Sequence, residues 1–252
     1  TSDIKWTEHN TINREGVESI INPYDTFALN TALDIKKSCE NTEITVLTMG
    51  PAQAEEMLKK AIAVGADNGA LISDRKFAGA DTYATGKTLA KSIQTIIPDF
   101  DIVICGQFAI DGDTAQTGPS IANHLGLPQV TFVKELVEIN NEFVTVRRQA
   151  DDGVETVKAK LPVLLCVSEY FKTPARATIN GIKKAQFSEV KTYSLEAIGL
   201  TPEEVGIKGS PTYVSKAFRP IVEHNCEKIH FTKDSLTTIC EKINEYKAGQ
   251  NG

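Results

Sequence analysis

The chain has 252 residues, 41% of them hydrophobic and 24% charged, and its 27 basic against 33 acidic side chains leave a formal net charge of −6. Such a composition supplies a core of native size for one large domain, or one domain with an appendage, and excludes collagen-like repeats and extended disorder. The longest uncharged apolar run, Leu161 to Val167, falls far short of the roughly 20 residues that span a bilayer, and the acidic balance argues against a nucleic-acid partner.

Cys39, Cys105, Cys166, Cys226 and Cys240 stand far apart with no C-x-x-C pair, so they read as reduced, cytosolic thiols. His9, His124, His224 and His230 show no metal-ligand spacing, and no zinc site is expected. The opening ten residues carry neither the apolar region of a signal peptide nor an Arg-rich transit pattern. A cytoplasmic location follows from these readings.

From Asn22 onward helices and strands alternate, the pattern of a parallel sheet covered on both faces. Asn22 is placed to cap a helix, with Pro23 in its first position and Asp25 in its first turn, where the helix dipole favours an acid. Residues 43–49 (EITVLTM) read as a strand. Gly50-Pro51 then turns the chain into a helix with Ala54, Met57, Leu58, Ala61 and Ile62 on one face and Gly65 at its C-cap. A short strand at 69–73 follows, and Asp81 caps a helix reaching about Ile97. Residues 101–106 (DIVICG) are apolar and β-branched, as in a strand buried on both faces.

A helix is expected from Thr114 and a strand across 128–137. Residues 142–148 and 154–160 alternate at period two around Asp151-Asp152-Gly153, which makes an antiparallel hairpin, and 161–168 returns to the core. Beyond Ser188 the chain is punctuated by Gly199, Pro202, Gly206, Gly209 and Pro211, as in an extended linker. A last helix, 234–246, lines up Leu236, Ile239, Cys240 and Ile243. Such a stripe needs a cover, either a core of its own or a partner subunit. The fold class is therefore α/β: a Rossmann-like parallel sheet with helices on both faces, an antiparallel hairpin insertion and a C-terminal helical arm. Residues 1–188 are expected to form the nucleotide-binding domain, and 189–252 the linker and arm.

The strongest chemical signal is Ile104 to Pro119 (ICGQFAIDGDTAQTGP). A buried strand ends at Gly106, a polar loop follows and a helix opens, which puts the loop at the carboxyl edge of a parallel sheet, where ligands bind. Free amides at a helix start hold phosphate. Gly112 and Gly118 allow close approach, and Thr114, Gln116 and Thr117 add neutral donors. Asp111 and Asp113 would repel phosphate, so they cap the helix or bind ribose hydroxyls. The plain alternative is a strand-to-helix turn with a capped N-terminus. Asn22-Pro23-Tyr24-Asp25 is a second candidate at the same edge, with simple capping as its alternative, and Lys87 reads as a solvated charge. Neither a P-loop nor the G-x-G-x-x-G fingerprint is present, and no nucleophile is set up beside a base, so any chemistry belongs to a bound cofactor.

Residues 14–33, 45–67, 101–119, 125–133 and 170–185 together resemble the beta subunits of electron-transferring flavoproteins, over nearly the whole chain. The resemblance implies an adenine nucleotide held by Asn22, Pro23, Tyr24, Asp25, Met49, Gly106, Gln107, Ala109, Ile110, Asp111, Gly112, Asp113, Thr114, Ala115, Gln116 and Thr117. It also implies an alpha subunit clasped by the C-terminal arm. A further strand and loop precede the position of Thr1 in that family, central in its sheet. The loop 106–119 is similar to members that hold FAD and bifurcate electrons from NADH; the alternatives are a plain carrier with structural AMP and a redox-inactive nucleotide-binding module. The implied partners are a flavin-containing dehydrogenase of acyl-CoA or 2-hydroxy acid type and ferredoxin or flavodoxin. Many members carry a Leu-Asn-Glu-Pro-Arg-Tyr run where this chain has Phe171 to Arg176, and there Tyr170, Phe171 and Pro174 are the expected dehydrogenase contacts.

Overall fold

The computed structural model describes residues 5–6, 12–13, 20–110, 112–169, 173–215, 232 and 235–249. The chain forms two compact units, Thr1–Ser215 and Lys216–Gly252. Within the first, β1 (Lys5–Trp6) and β2 (Ile12–Asn13) pair antiparallel. There follow α1 (Pro23–Ser38), β3 (Thr45–Met49), α2 (Glu55–Val64), β4 (Asn68–Ile72), α3 (Thr82–Ile96), β5 (Ile102–Gly106) and α4 (Thr117–Leu125). Next come β6 (Gln129–Ile139), β7 (Phe143–Ala150), β8 (Gly153–Lys160), β9 (Val163–Val167), α5 (Ile179–Phe187), β10 (Lys191–Tyr193) and the short α6 (Gly206–Gly209). The second unit contributes α7 (Ser235–Gly249).

Two larger sheets carry the architecture. One has the order β10-β4-β3, all parallel; the other has the order β5-β9-β6-β7-β8, parallel across β5, β9 and β6 and antiparallel in the hairpin β7-β8. The expected α/β class and hairpin insertion are thus present. β9 reads VLLCV with no polar alternation because both its faces are covered: Val163, Leu165 and Val167 pack with Ala28 of α1, and Leu164 and Cys166 with Ile121 and Ala122 of α4. All five of its residues are buried, each aliphatic side chain contributing about 1.5–3 kcal/mol. β3 and β5 are only half-buried along their whole length, and among the described residues neither has a strand hydrogen-bonded to its second edge.

The stretch after Ser188 differs from the expected linker. β10 adds to the edge of β4, with Lys191, Thr192 and Tyr193 opposite Ala70, Leu71 and Ile72, and Leu195, Ile198 and Val205 are buried against Ile72 and Phe77. The first compact unit runs to Ser215. Three strand residues are too few to show a period, and the buried Leu195, Ile198 and Val205 are scattered among turn residues. The α4 helix also starts at Thr117 rather than Thr114, for a backbone reason given below. In the second unit, Leu236, Ile239, Cys240 and Ile243 of α7 are all exposed.

Candidate functional site

The carboxyl end of β5 is fastened to the start of α1. Asp25 accepts a hydrogen bond from the Gly106 amide through Oδ1 (2.7 Å) and one from Asn22 Nδ2 through Oδ2 (2.9 Å), and the same Nδ2 donates to the Phe108 carbonyl (2.7 Å). Asn22 makes no side-chain cap to its own helix: its Nδ2 is aimed at Asp25 and the loop, and its Oδ1 takes no helix amide. A Cβ at Gly106 would lie 2.7 Å from the Tyr24 carbonyl carbon and 2.8 Å from the Asp25 nitrogen, so glycine is required by close backbone approach. Asn22 Oδ1 is left buried without a partner, an acceptor beside the loop that still wants a donor.

Gln107 does not face the open side of the loop. Its side chain is buried and its Oε1 accepts the Phe132 amide (2.6 Å), holding Phe132 of β6 at φ +57°. A bulky residue in the left-handed region is a true outlier, stable only where its surroundings impose it. The Phe132 ring then meets Phe108 at 5.9 Å between centroids, Phe108 meets Tyr24 at 5.2 Å, and Tyr24 meets Phe27 at 6.3 Å. These aromatics form a continuous floor under the loop.

Beyond the floor, the Asp113 amide bonds the Ala109 carbonyl (2.7 Å), and Asp113 and Ala115 adopt φ +49° and +56°. Left-handed residues alternating with ordinary ones turn successive amides toward one side, the geometry of an anion-binding nest. They also break the helical path, which delays α4 to Thr117. Gln116, the N-cap of α4, gives no side-chain cap, and no acid lies in the first turn, so the first amides of α4 keep their positive end unsatisfied by side chains. Gln116 Oε1 instead accepts from Thr82 Oγ1 (3.1 Å) at the start of α3. That neighbouring helix shows the contrast: Asp81 caps it by accepting the Ala84 amide (2.9 Å) and also accepts the Thr212 amide (3.0 Å) and hydroxyl (2.7 Å). Burial works to raise the Asp81 pKa, but these bonds together hold it below the usual range.

Of the residues expected at the site, the structure brings Tyr24 and Asp25 against Gly106 and Asn22 against Phe108, with Pro23 opening α1 beside them, Gln107 turned inward, and Ala109, Ile110, Gly112, Asp113, Thr114, Ala115, Gln116 and Thr117 along the loop and helix start. Ile110 is exposed, and nothing lies within 4 Å of a Cβ placed on Gly112, so the loop has open space above it. Met49 ends β3 and packs with Ile72 and Leu195; it joins the site only as the carboxyl end of a parallel strand. Asp111, Tyr170 and Phe171 lie outside the described residues. Pro174 is exposed, and next to it the Ala175 amide is held by Oδ1 of buried Asn30 (2.7 Å), whose Nδ2 donates to the Thr26 carbonyl (2.7 Å).

Sequence reasoning missed Phe108, Phe132 and Asn30. Asn30, a polar residue on the buried face of α1 beside Ala28 and Leu29, was the readable one. Lys87 is not a solvated charge: its Nζ pairs with Glu204 at 2.8 Å, and that bond, with two from Thr201, holds Glu204 down to about 2. Cys105 and Cys166 sit in register on β5 and β9 with sulfurs 3.6 Å apart. The Cys166 contact and burial push the Cys105 thiol well above its ordinary range, the property of a packed thiol and not of a nucleophile. Among the described residues no group of three or more His, Cys, Asp or Glu side chains is placed to hold a metal. The site offers backbone donors, an aromatic floor and space, which is binding chemistry. Its amides suit a phosphate, Gly112 leaves room for close approach and Asn22 Oδ1 can accept from a donor.

Residues 9–197 match the family model described as the electron transfer flavoprotein domain. The chain is 44% identical over 238 residues to the electron transfer flavoprotein subunit beta of Thermoanaerobacterium thermosaccharolyticum, covering 93% of this chain and 89% of that one. It is 41% identical over 245 residues to the subunit of the same name from Megasphaera elsdenii, covering 95% and 90%. To subunit CarD of the caffeyl-CoA reductase-Etf complex of Acetobacterium woodii it is 44% identical over 219 residues, covering 87% and 83%.

Proposed function

Because the chain belongs to the electron transfer flavoprotein beta subunits, we propose that its role in electron transfer is played with FAD held at the loop 106–117, NADH as electron donor, and bifurcation as the outcome. One branch leads to a flavin-containing dehydrogenase of acyl-CoA or 2-hydroxy acid type, the other to ferredoxin or flavodoxin. The observation that carries the reading is the uncapped start of α4 preceded by left-handed Asp113 and Ala115, an anion cradle with open space over Gly112. The similarity to a subunit named for a caffeyl-CoA reductase-Etf complex supports the dehydrogenase branch.

The flavin, when bound, supplies the hydride acceptance and the single-electron release; the protein's work is placement. Amides of 114–118 would take the pyrophosphate, with Gly112 keeping side-chain bulk away. Asn22 and Asp25 fix the distance between α1 and the loop, and Asn22 Oδ1 is free to accept from a ribose or adenine donor. Gln107 acts indirectly, by locking Phe132 under Phe108. The exposed stripe of α7 would pack on an alpha subunit, and the complex would work in the cytoplasm, where NADH and acyl-CoA substrates are found. Acid extraction of the purified heterodimer, with FAD and AMP quantified separately, tests the assignment. A second FAD beyond that of the alpha subunit supports it; AMP in its place means a plain carrier.

A further inference from the structure

Two thiols lie directly beneath the start of α4. Cys105 of β5 and Cys166 of β9 are register partners on parallel strands, both on the face that α4 covers, with their sulfurs 3.6 Å apart. Both are free cysteines. Neighbouring strands lie roughly 4.8 Å apart, inside the window of about 4.4–6.8 Å between Cα atoms that a disulfide spans.

The cover over the pair is Gly118, the second residue of α4. A Cβ there would run into the Cys166 sulfur and stand 2.8 Å from that of Cys105, so the helix backbone rests on the two sulfurs and only glycine fits. The amide of the same residue is among those left without a side-chain cap at the helix start. Gly118 thus belongs to the anion cradle through its amide and to the lid over the thiols through its Cα. Little in the chain itself seats this first turn: it lacks a capping side chain, it contains a glycine, and it follows two left-handed residues, Asp113 and Ala115. An anion on its amides supplies what the cap does not.

While α4 is seated, burial keeps the pair protonated and shielded, and such thiols are inert. We infer that Cys105 and Cys166 form a reversible disulfide site, exposed to oxidation when the nucleotide leaves the loop after β5, and that the bond then blocks reloading. The inference rests on the proposed nucleotide site. The oxidant is hydrogen peroxide, a by-product of reduced flavins in air. One thiolate attacks a peroxide oxygen and becomes a sulfenic acid, and the second thiol displaces water from that sulfur. Two thiols and one peroxide give one disulfide and two waters: the sulfurs lose two electrons to the peroxide oxygens, and the two thiol protons end in the waters. Sulfurs drawn into a bond no longer occupy the places against which Gly118 packs, so the first turn of α4 and its amides are displaced.

The test uses the heterodimer with its alpha subunit, stripped of this subunit's nucleotide, with FAD or AMP added back in separate arms at about 100 times its Kd. Each sample meets hydrogen peroxide, and the peptide linking Cys105 to Cys166 is followed in time by mass spectrometry. Linking should be about 100-fold slower in the arm whose nucleotide binds, because the ligand suppresses opening by that factor. Stripped protein that has become linked should fail to take up nucleotide until dithiothreitol restores it. Cys105→Ala should load nucleotide normally and keep that capacity through peroxide, which separates this pair from damage elsewhere; should it fail to load before oxidation, Cys166→Ser carries the same comparison. Equal linking rates with and without bound nucleotide, no linked peptide in stripped protein, or linked protein that loads as well as reduced protein each overturn the inference. A heterodimer that binds neither FAD nor AMP in this subunit refutes the nucleotide site and this inference with it, whereas binding without protection refutes this inference alone.

Discussion

Replacing Gly112 by leucine separates the loop's ligand role from its structural role. Nothing in the protein lies within 4 Å of a Cβ at this position, and its φ is outside the left-handed region, so the fold should tolerate the side chain within about 0.5 kcal/mol. A phosphate lying over the 114–118 amides would meet the new side chain directly. Pushing the ligand off two charge-assisted hydrogen bonds, each about 1.5–3 kcal/mol, costs about 3–6 kcal/mol. That converts to roughly 100- to 10,000-fold in affinity. The assay is nucleotide extraction from the purified heterodimer beside a thermal melt of the same sample. We expect nucleotide lost from this subunit, the alpha-subunit flavin retained, and any fall in melting temperature matched by stripping nucleotide from wild type. Full nucleotide occupancy in Gly112→Leu would refute the cradle.

Glu204→Gln removes the partner of Lys87. With its folded pKa depressed to about 2, Glu204 contributes stability that is fully present above the unfolded carboxylate range near 4.3 and is lost as pH falls from there toward 2. Thermal melts from pH 7 to pH 2 should show the variant already lowered at pH 7 and losing less than wild type across that acid window; parallel curves would contradict the pairing. Gln107→Leu leaves the Phe132 amide without its acceptor and should cost about 1–3 kcal/mol in denaturant unfolding, with weaker nucleotide retention because the aromatic floor shifts. Leu236→Asp with Ile243→Asp should leave the first unit's melt unchanged and weaken association with the alpha subunit, since each side chain forfeits about 1.5–3 kcal/mol of burial; an intact complex by sedimentation at low micromolar concentration argues against docking by α7.

The long elements were readable because their periods are strong. The apolar run at 163–167, the alternation of the β7-β8 hairpin and the caps at Asp81 and Gly65 all specify local structure through short-range rules. What escaped was decided by tertiary contact. The sequence cannot announce that Asn22 and Asp25 will spend their side chains on a loop more than 80 positions away, or that Gln107 will turn inward to a backbone amide of β6. Asp113 reads as a helix cap and Ala115 as a helix former, and only the folded loop shows them left-handed. Lys87 looked solvated because its partner, Glu204, sits in a stretch whose polar composition concealed a packed edge.

These contacts give α1 a part in the geometry of the site. Among the described residues, Met49 and Gly106 end strands that belong to different hydrogen-bonded sheets, and α1 touches both. The link is the helix above them: Ala28 packs into the cluster of β9 and β6, its neighbour Leu29 into the cluster beside β3 with Ile44 and Val46, and Asn30 holds the exposed loop at Ala175. Three consecutive residues thus join both sheets and the approach to α5, while Asn22 and Asp25 at the start of the same helix hold the loop after β5. A shift of α1 would move the aromatic floor, the phosphate cradle and the outward loop together. The loop from Gly106 to Thr117 and the surface at 173–178 are thus both tied to α1, and substitutions at Ala28 or Leu29 should disturb both.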